Sequence, residues 1–180
     1  MGITTPSPAV LRLLAAFSRH DAALDWARET SAEKWGTIAL ESPRFEFNET
    51  DFYQEQMGVE IRKTFFVFEA LMEPDELPDV KLLTNAWELQ YAELHRHAES
   101  RPLNLDPGYL TEGKLVLAST KDHAHRVYLR DGIYAEVTLG YRSRQWRTHE
   151  WTYPDYQRED FHQFFDACRS FLRERRKRAS

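Results

Sequence analysis

Residues 104–156, NLDPGYLTEGKLVLASTKDHAHRVYLRDGIYAEVTLGYRSRQWRTHEWTYPDY, decide the fold reading. Bulky and β-branched residues alternate with polar ones in short segments separated by Gly-containing turns, the pattern of antiparallel strands. Four strands are predicted, Lys114–Thr120, Ala124–Arg130, Ile133–Tyr141 and Gln145–His149, running as a meander. Ahead of them Asp106-Pro107-Gly108 reads as a type II turn, with Pro at its second position and Gly at its third.

The hairpin at the centre of this stretch fixes a register. A three-residue loop Arg130-Asp131-Gly132, with Gly132 in the left-handed position, pairs Leu129 with Ile133, Val127 with Ala135 and His125 with Val137. The other face then carries Tyr128 opposite Tyr134 and Arg126 opposite Glu136. A two-residue loop would set Glu136 against Val127 and mix the faces, so the clean partition favours three. Two readings of the polar face stay open: a solvated face with one ion pair, or the floor of a pocket. Lys121, His125, Arg126 and Glu136 lie closer together here than a purely structural sheet requires.

Outward from this stretch, Val10–Phe17 reads as a buried strand, and His20–Trp35 as a helix ended by Gly36. Thr37–Leu40 and Arg44–Phe47 read as extended, Phe52–Met57 as one turn closed by Gly58, and Glu60–Leu71 as a strand covered on both faces. A helix is predicted over Pro78–Ala98, with Val80, Leu83, Trp87, Tyr91 and Leu94 on its apolar stripe and Pro78 in its first turn. A last helix runs from Glu159 to about Arg176 and directs Phe161, Phe164, Phe165, Cys168 and Phe171 to one side. The expected fold is α+β: a single domain over 9–172 with a ferredoxin-like βαββαβ start, extended by the antiparallel meander and the C-terminal helix. Residues 1–8 are expected to be a disordered tail and 173–180 a basic tail. The five basic residues of Arg173–Arg178 suit a helix C-terminus, where cations favour the macrodipole; a contact with RNA or an acidic partner is the alternative.

Composition narrows the function classes. The 180 residues carry 29 acidic and 24 basic side chains, a net charge of −5, which argues against nucleic acid as a partner. Cys168 is the only cysteine, which excludes internal disulfides and cysteine-based zinc sites, and its helical face predicts an inert buried thiol. No run approaches the ~20 apolar residues of a membrane span, and the N-terminal flank lacks a basic signal region. A cytoplasmic protein without membrane contact is the resulting expectation.

The predicted central helix adds a second group of candidates. Lys81, Thr84, Asn85 and Glu88 fall on one face beside the apolar stripe, and Thr and Asn are poor choices inside a solvated helix. They predict a specific job, either a hydrogen-bonded bridge or ligand contact. No phosphate-loop GTP site is present, and no GxGxxG follows a strand. His95 and His97 on one helix would point about 200° apart and could not share an ion. His123 and His125 on a strand could take one with Asp106 or Glu136, but the register separates His125 from Glu136, and no metal site is assigned.

The motifs FNETDFYQEQMG (47–58), VKLLTNAWE (80–88), RPLNLDPGYL (101–110), LVLASTKD (115–122), HRVYL (125–129), GIYAEVTL (132–139) and WTYPDY (151–156) together resemble the domain-of-unknown-function 4416 family of bacterial and archaeal proteins. The resemblance runs from about residue 8 to 170. Some members carry a GTP-binding label, for which this chain lacks the phosphate loop. The resemblance implies no reaction and no cofactor, but Lys81, Thr84, Asn85, Glu88, Asp106, Lys121, His125, Arg126 and Glu136 all fall inside its motifs. The leading expectation is a binding protein for a small phosphate- or carboxylate-bearing molecule, held by Lys81, Lys121 and Arg126 with Tyr128 and Tyr134 as stacking surface. The alternatives are an enzyme with His125 or Glu136 as acid or base, and an adaptor without ligand.

Overall fold

The computed structural model describes residues 2–47 and 54–179. It is an α+β fold built on one antiparallel sheet of nine strands. The strands are β1 (Val10–Ser18), β2 (Ile38–Glu41), β3 (Phe45–Glu46), β4 (Arg62–Met72), β5 (Asn104–Leu110), β6 (Lys114–Ser119), β7 (Val127–Arg130), β8 (Ile133–Arg142) and β9 (Gln145–Thr148). Their order is β2-β4-β1-β5-β6-β8-β7, with β3 also on β4 and β9 also on β8. The helices are α1 (Asp21–Trp35), a single turn α2 (Gln54–Met57), α3 (Leu77–His95) and α4 (Glu159–Ala179). Among the described residues no helix is long and apolar enough to cross a membrane.

Alternation along β1 explains the layers. Leu11, Leu13 and Ala15 pack with Phe161, Phe165, Cys168 and Leu172 of α4. Val10, Leu14 and Ala16 pack on the other face with Ala23, Leu24 and Ala27 of α1 and Val80, Trp87 and Tyr91 of α3. Covering both faces buries all nine residues of the strand. Full burial of a Phe or Leu contributes roughly 1.5–3 kcal/mol, so the α4 stripe is a major source of stability. Cys168 is buried within it, and burial pushes its thiol pKa well up, as expected of an inert cysteine.

The predicted early elements match within a residue or two. Gly36, at φ 87°, ends α1 with its N–H on Ala32 O. Phe52 and Tyr53 of the predicted turn lie outside the described residues, while Gln54–Met57 form the helical turn closed by Gly58 at φ 79°. α3 stops at His95 because Arg96 adopts a left-handed conformation. Leu94, placed on the apolar stripe by periodicity, is instead exposed, one residue before the helix ends. α4 runs through the basic segment to Ala179, and Glu112 pairs with Arg173 and Arg176.

Three expectations are corrected. The strands after Lys114 are not a meander: β6 pairs with β8, and β7 lies outside β8 at the sheet edge. β8 is the longest of the group, so its free edge is shared between β7 near its start and β9 near its end. Asp106-Pro107-Gly108 is not a turn but the middle of β5, opposite Ala15, Leu14 and Leu13 of β1. A Cβ on Gly108 would lie 2.2 Å from Val116 O, so this glycine permits close strand approach. The hairpin loop has two residues, Asp131 and Gly132, both at positive φ, and Arg130 rather than Leu129 pairs with Ile133. A bulge between Tyr128 and Arg130 absorbs the extra residue and restores the expected pairs Val127–Ala135 and Tyr128–Tyr134.

Candidate functional site

Cross-strand partners share a sheet face. Phe17 pairs with Lys63 and Asn104, Ala15 with Asp106, and Leu117 with Glu136. Ala15 and Leu117 belong to the face covered by α4, so the four polar partners emerge there too, at the end of the sheet beyond the apolar cover. The turn Pro154–Gln157, just before α4, flanks them. Together they enclose a cleft of about 520 Å³, within the ~300–1,000 Å³ range of small-molecule sites.

The ladder between β5 and β6 covers only Gly108–Leu110, and Asn104–Pro107 pair with β1 alone. α3 supplies what the missing strand neighbour would have given Leu105. Glu88 Oε1 accepts the Leu105 N–H at 2.7 Å, and Lys81 Nζ donates to Leu105 O at 2.8 Å and to Asp106 Oδ1 at 3.2 Å. Pro107 fits this stretch because amide direction repeats every second residue, so its missing N–H faces the same unpaired side as that of Leu105. Lys81 thus reaches the cleft from a helix whose body packs on the opposite face.

Electrostatics separate the two carboxylates around Lys81. Burial pushes the Asp106 carboxyl up, but the charges of Lys81, Lys63 and Arg101 outweigh it and hold its pKa below the usual value. For Glu88 burial prevails over the attraction of Lys81 and Arg101, and its pKa is raised. Arg101 donates to Glu88 Oε2 through Nε at 3.2 Å and Nη2 at 2.9 Å, and itself lines the cleft.

Two further ion pairs build the walls. Lys63 Nζ lies 2.6 Å from Asp155 Oδ2, both side chains being nearly inaccessible, and sits 4.3 Å from the Tyr156 ring and 4.9 Å from that of Phe17. Arg126 donates to Glu136 Oε2 (2.8 Å), Ser119 Oγ (2.7 Å), Lys121 O (3.1 Å) and Tyr153 Oη (3.2 Å). Burial lowers the Arg126 pKa, but its bonds to Glu136 and Tyr153 more than offset this, and the net shift is upward. Asn104 is 1% exposed, and its Nδ2 makes no hydrogen bond among the described residues.

Of the residues proposed from sequence, the cleft gathers Lys81, Asp106, Lys121, Arg126 and Glu136. Thr84 does not line it: its hydroxyl returns to Lys81 O at 3.0 Å within the helix. Asn85 and Glu88 also stay outside, Glu88 as the bridge just described. Tyr128 and Tyr134 are not among the residues lining this cleft; they form an edge-to-face pair with ring centroids 5.4 Å apart, and Tyr128 is exposed. His125 is corrected too. β7 starts only at Val127, and a turn with Arg126 N–H on His123 O precedes it, so strand alternation does not govern His125. Its Nε2 lies 3.1 Å from Glu136 Oε2, and its ring stacks on Trp151.

Sequence reasoning missed Lys63, Asp155, Asn104 and Arg101. A lysine inside the apolar strand 62–72 was the available signal for Lys63, because a charge buried there demands a partner. Nothing local indicated that Asp155 would be that partner.

Fold and site define an α+β protein with a polar, aromatic-rimmed cleft at one end of an antiparallel sheet. The chain belongs to the family described as Domain of unknown function (DUF4416), whose profile matches residues 7–171. No curated protein and no solved structure matches it.

Proposed function

We propose that this cleft binds a small anionic ligand bearing phosphate or carboxylate. The observation that carries the reading is the convergence of Lys63, Lys81, Arg101, Lys121 and Arg126 on one cleft, against the three carboxylates Asp106, Glu136 and Asp155. The carboxylates hold Lys63, Lys81 and Arg126 in fixed positions, so little side-chain entropy is lost when these donors meet an anion. The buried Asn104 amide adds a donor whose desolvation a ligand acceptor would offset. Phe17 and Phe47 supply an apolar wall for the body of the molecule. At the level of fold, the order β2-β4-β1-β5 with α1 and α3 on one face supports a ferredoxin-like unit, to which β6–β9 and α4 are added.

One observation favours an acid–base reading of the same place: Glu136 Oε2 contacts both His125 Nε2 and Arg126 Nε, an arrangement that orients an imidazole for proton transfer. His125 is outside the cleft lining, whereas His123 is inside it. A thermal-shift screen with sugar phosphates, nucleotides and di- and tricarboxylates tests the binding reading. A concentration-dependent rise in Tm with one anionic class is expected, and Lys121→Ala should reduce it. A protein indifferent to every anion would refute the proposal.

A further inference from the structure

His20, His97 and Glu99 meet although they come from distant parts of the chain. One ligating atom from each lies within 4.8 Å of the others. Two ligands on opposite sides of an ion at ~2.1 Å stand about 4.2 Å apart, and two at right angles about 3.0 Å. His20 Nε2 and Glu99 Oε2 are 3.0 Å apart, already at the second spacing. We propose that His20, His97 and Glu99 form a binding site for one divalent transition-metal ion of the zinc, cobalt or iron type. Two imidazoles and a carboxylate suit these ions over calcium or magnesium, which prefer oxygen ligands.

The surroundings orient the three ligands. The Ser18 hydroxyl accepts the His20 N–H at 2.9 Å and donates to Pro102 O at 2.5 Å, tying the loop that carries His20 to the segment after Glu99. Arg19 Nη1 donates to Glu99 Oε1 at 2.9 Å, which turns Oε2 toward His20. Gly58 packs on this pair, since a Cβ there would lie 2.9 Å from Arg19 Nη1 and 3.3 Å from Glu99 Oε1. The hydroxyl of Tyr91, 3.1 Å from His97 Nε2, completes the shell. With Nε2–H donating to Tyr91, the His97 lone pair sits on Nδ1, the usual outer-shell arrangement of a ligating histidine. The His20 and His97 rings are stacked, centroids 3.9 Å apart, so binding requires a rotation that opens them toward a common point.

Sequence periodicity misjudged His97 by continuing the helix through it. α3 ends at His95, and the left-handed Arg96 redirects the chain, so His97 faces His20. Arg101, two residues beyond Glu99, lines the anion cleft, as does Phe17 beside Ser18. The proposed ion would therefore lie close to the cleft, although the proposal does not depend on what the cleft binds.

Cobalt(II) titration of chelator-treated protein, followed by visible absorption and calorimetry, tests the site. One equivalent per chain is expected, with His20→Ala, His97→Ala and Glu99→Gln each lowering affinity and His149→Ala, just past β9 and outside the cleft lining, leaving it unchanged. Tyr91→Phe should weaken binding by roughly 10- to 100-fold, the usual effect of losing an outer-shell partner. Zinc added to the wild-type protein gives a readout that needs no variant: the His20 and His97 imidazole NMR signals should shift together. No stoichiometric binding, a binding event indifferent to these variants, or zinc-induced shifts confined to other histidines would overturn the proposal.

Discussion

Glu88 on α3 accepts the backbone N–H of Leu105 at 2.7 Å, so a helix side chain takes the place of a strand neighbour. Glu88→Ala would leave that N–H without its partner, and a loss of about 1–3 kcal/mol is expected in urea unfolding. Arg101 would also lose its anchor at the cleft.

The carboxylates on either side of Lys81 predict opposite pH dependences. The folded pKa of Glu88 is raised above 4.5, so its contribution is fully present below that value and is lost as pH rises through the folded pKa. Glu88→Gln should therefore gain stability relative to the wild type as pH increases. The folded pKa of Asp106 is below 3.8, so its contribution is present above that value and is lost as pH falls through the folded pKa. Asp106→Asn should lose ground relative to the wild type as pH increases. Unfolding curves from pH 3 to pH 7 check both slopes.

Gly108→Ala should be strongly destabilising although Gly108 is not in a left-handed conformation. The new methyl would meet Val116 O at 2.2 Å and Leu117 Cδ2 at 2.7 Å, and backbone cannot move aside cheaply. A loss of at least ~2 kcal/mol is expected, measured by chemical denaturation.

That glycine also shows where the sequence was legible and where it was not. Elements governed by local periodicity, β1, α1, α3 and α4, follow from their own residues within a turn. Pro107 and Gly108 read as a turn because their local preferences are those of a turn. Their actual reasons are non-local: an unpaired edge at Pro107 and a close strand approach at Gly108. The pairing of β6 with β8 rather than β7 is equally invisible to periodicity, which reports the face a residue takes but not the strand beside it. The same limit applies at the site. Arg126 and Glu136 could be joined through one hairpin, whereas Lys63 and Asp155 meet only through tertiary packing.

Lys63 and Asp155 form a buried pair, with side-chain exposures of 3% and 4%. Asp155→Ala should cost about 3–5 kcal/mol because it strands a buried charge. A Lys63→Met/Asp155→Leu double variant should recover most of that loss, since apolar replacement of both partners removes the desolvation penalty as well. A double-mutant cycle by denaturation separates the two terms.

Arg126 and Glu136 are each 3% exposed at the side chain, so this is not a solvated ion bridge. Glu136→Gln should cost about 1.5–3 kcal/mol, more than the ~1 kcal/mol upper limit typical of an exposed pair. His125 should respond as well: the variant replaces the charge beside its Nε2, and its imidazole NMR signals should shift.

The central claim is that the cleft is an anion site, and its most direct test is a titration of backbone ¹⁵N NMR signals with inorganic pyrophosphate and, separately, citrate. The predicted result is a saturable set of shift changes centred on Arg101, Asn104, Asp106 and Ser119–Lys121, reduced in Lys121→Ala. Shifts confined to the basic end of α4, Arg173–Arg178, or no saturable shift with either anion, would contradict it.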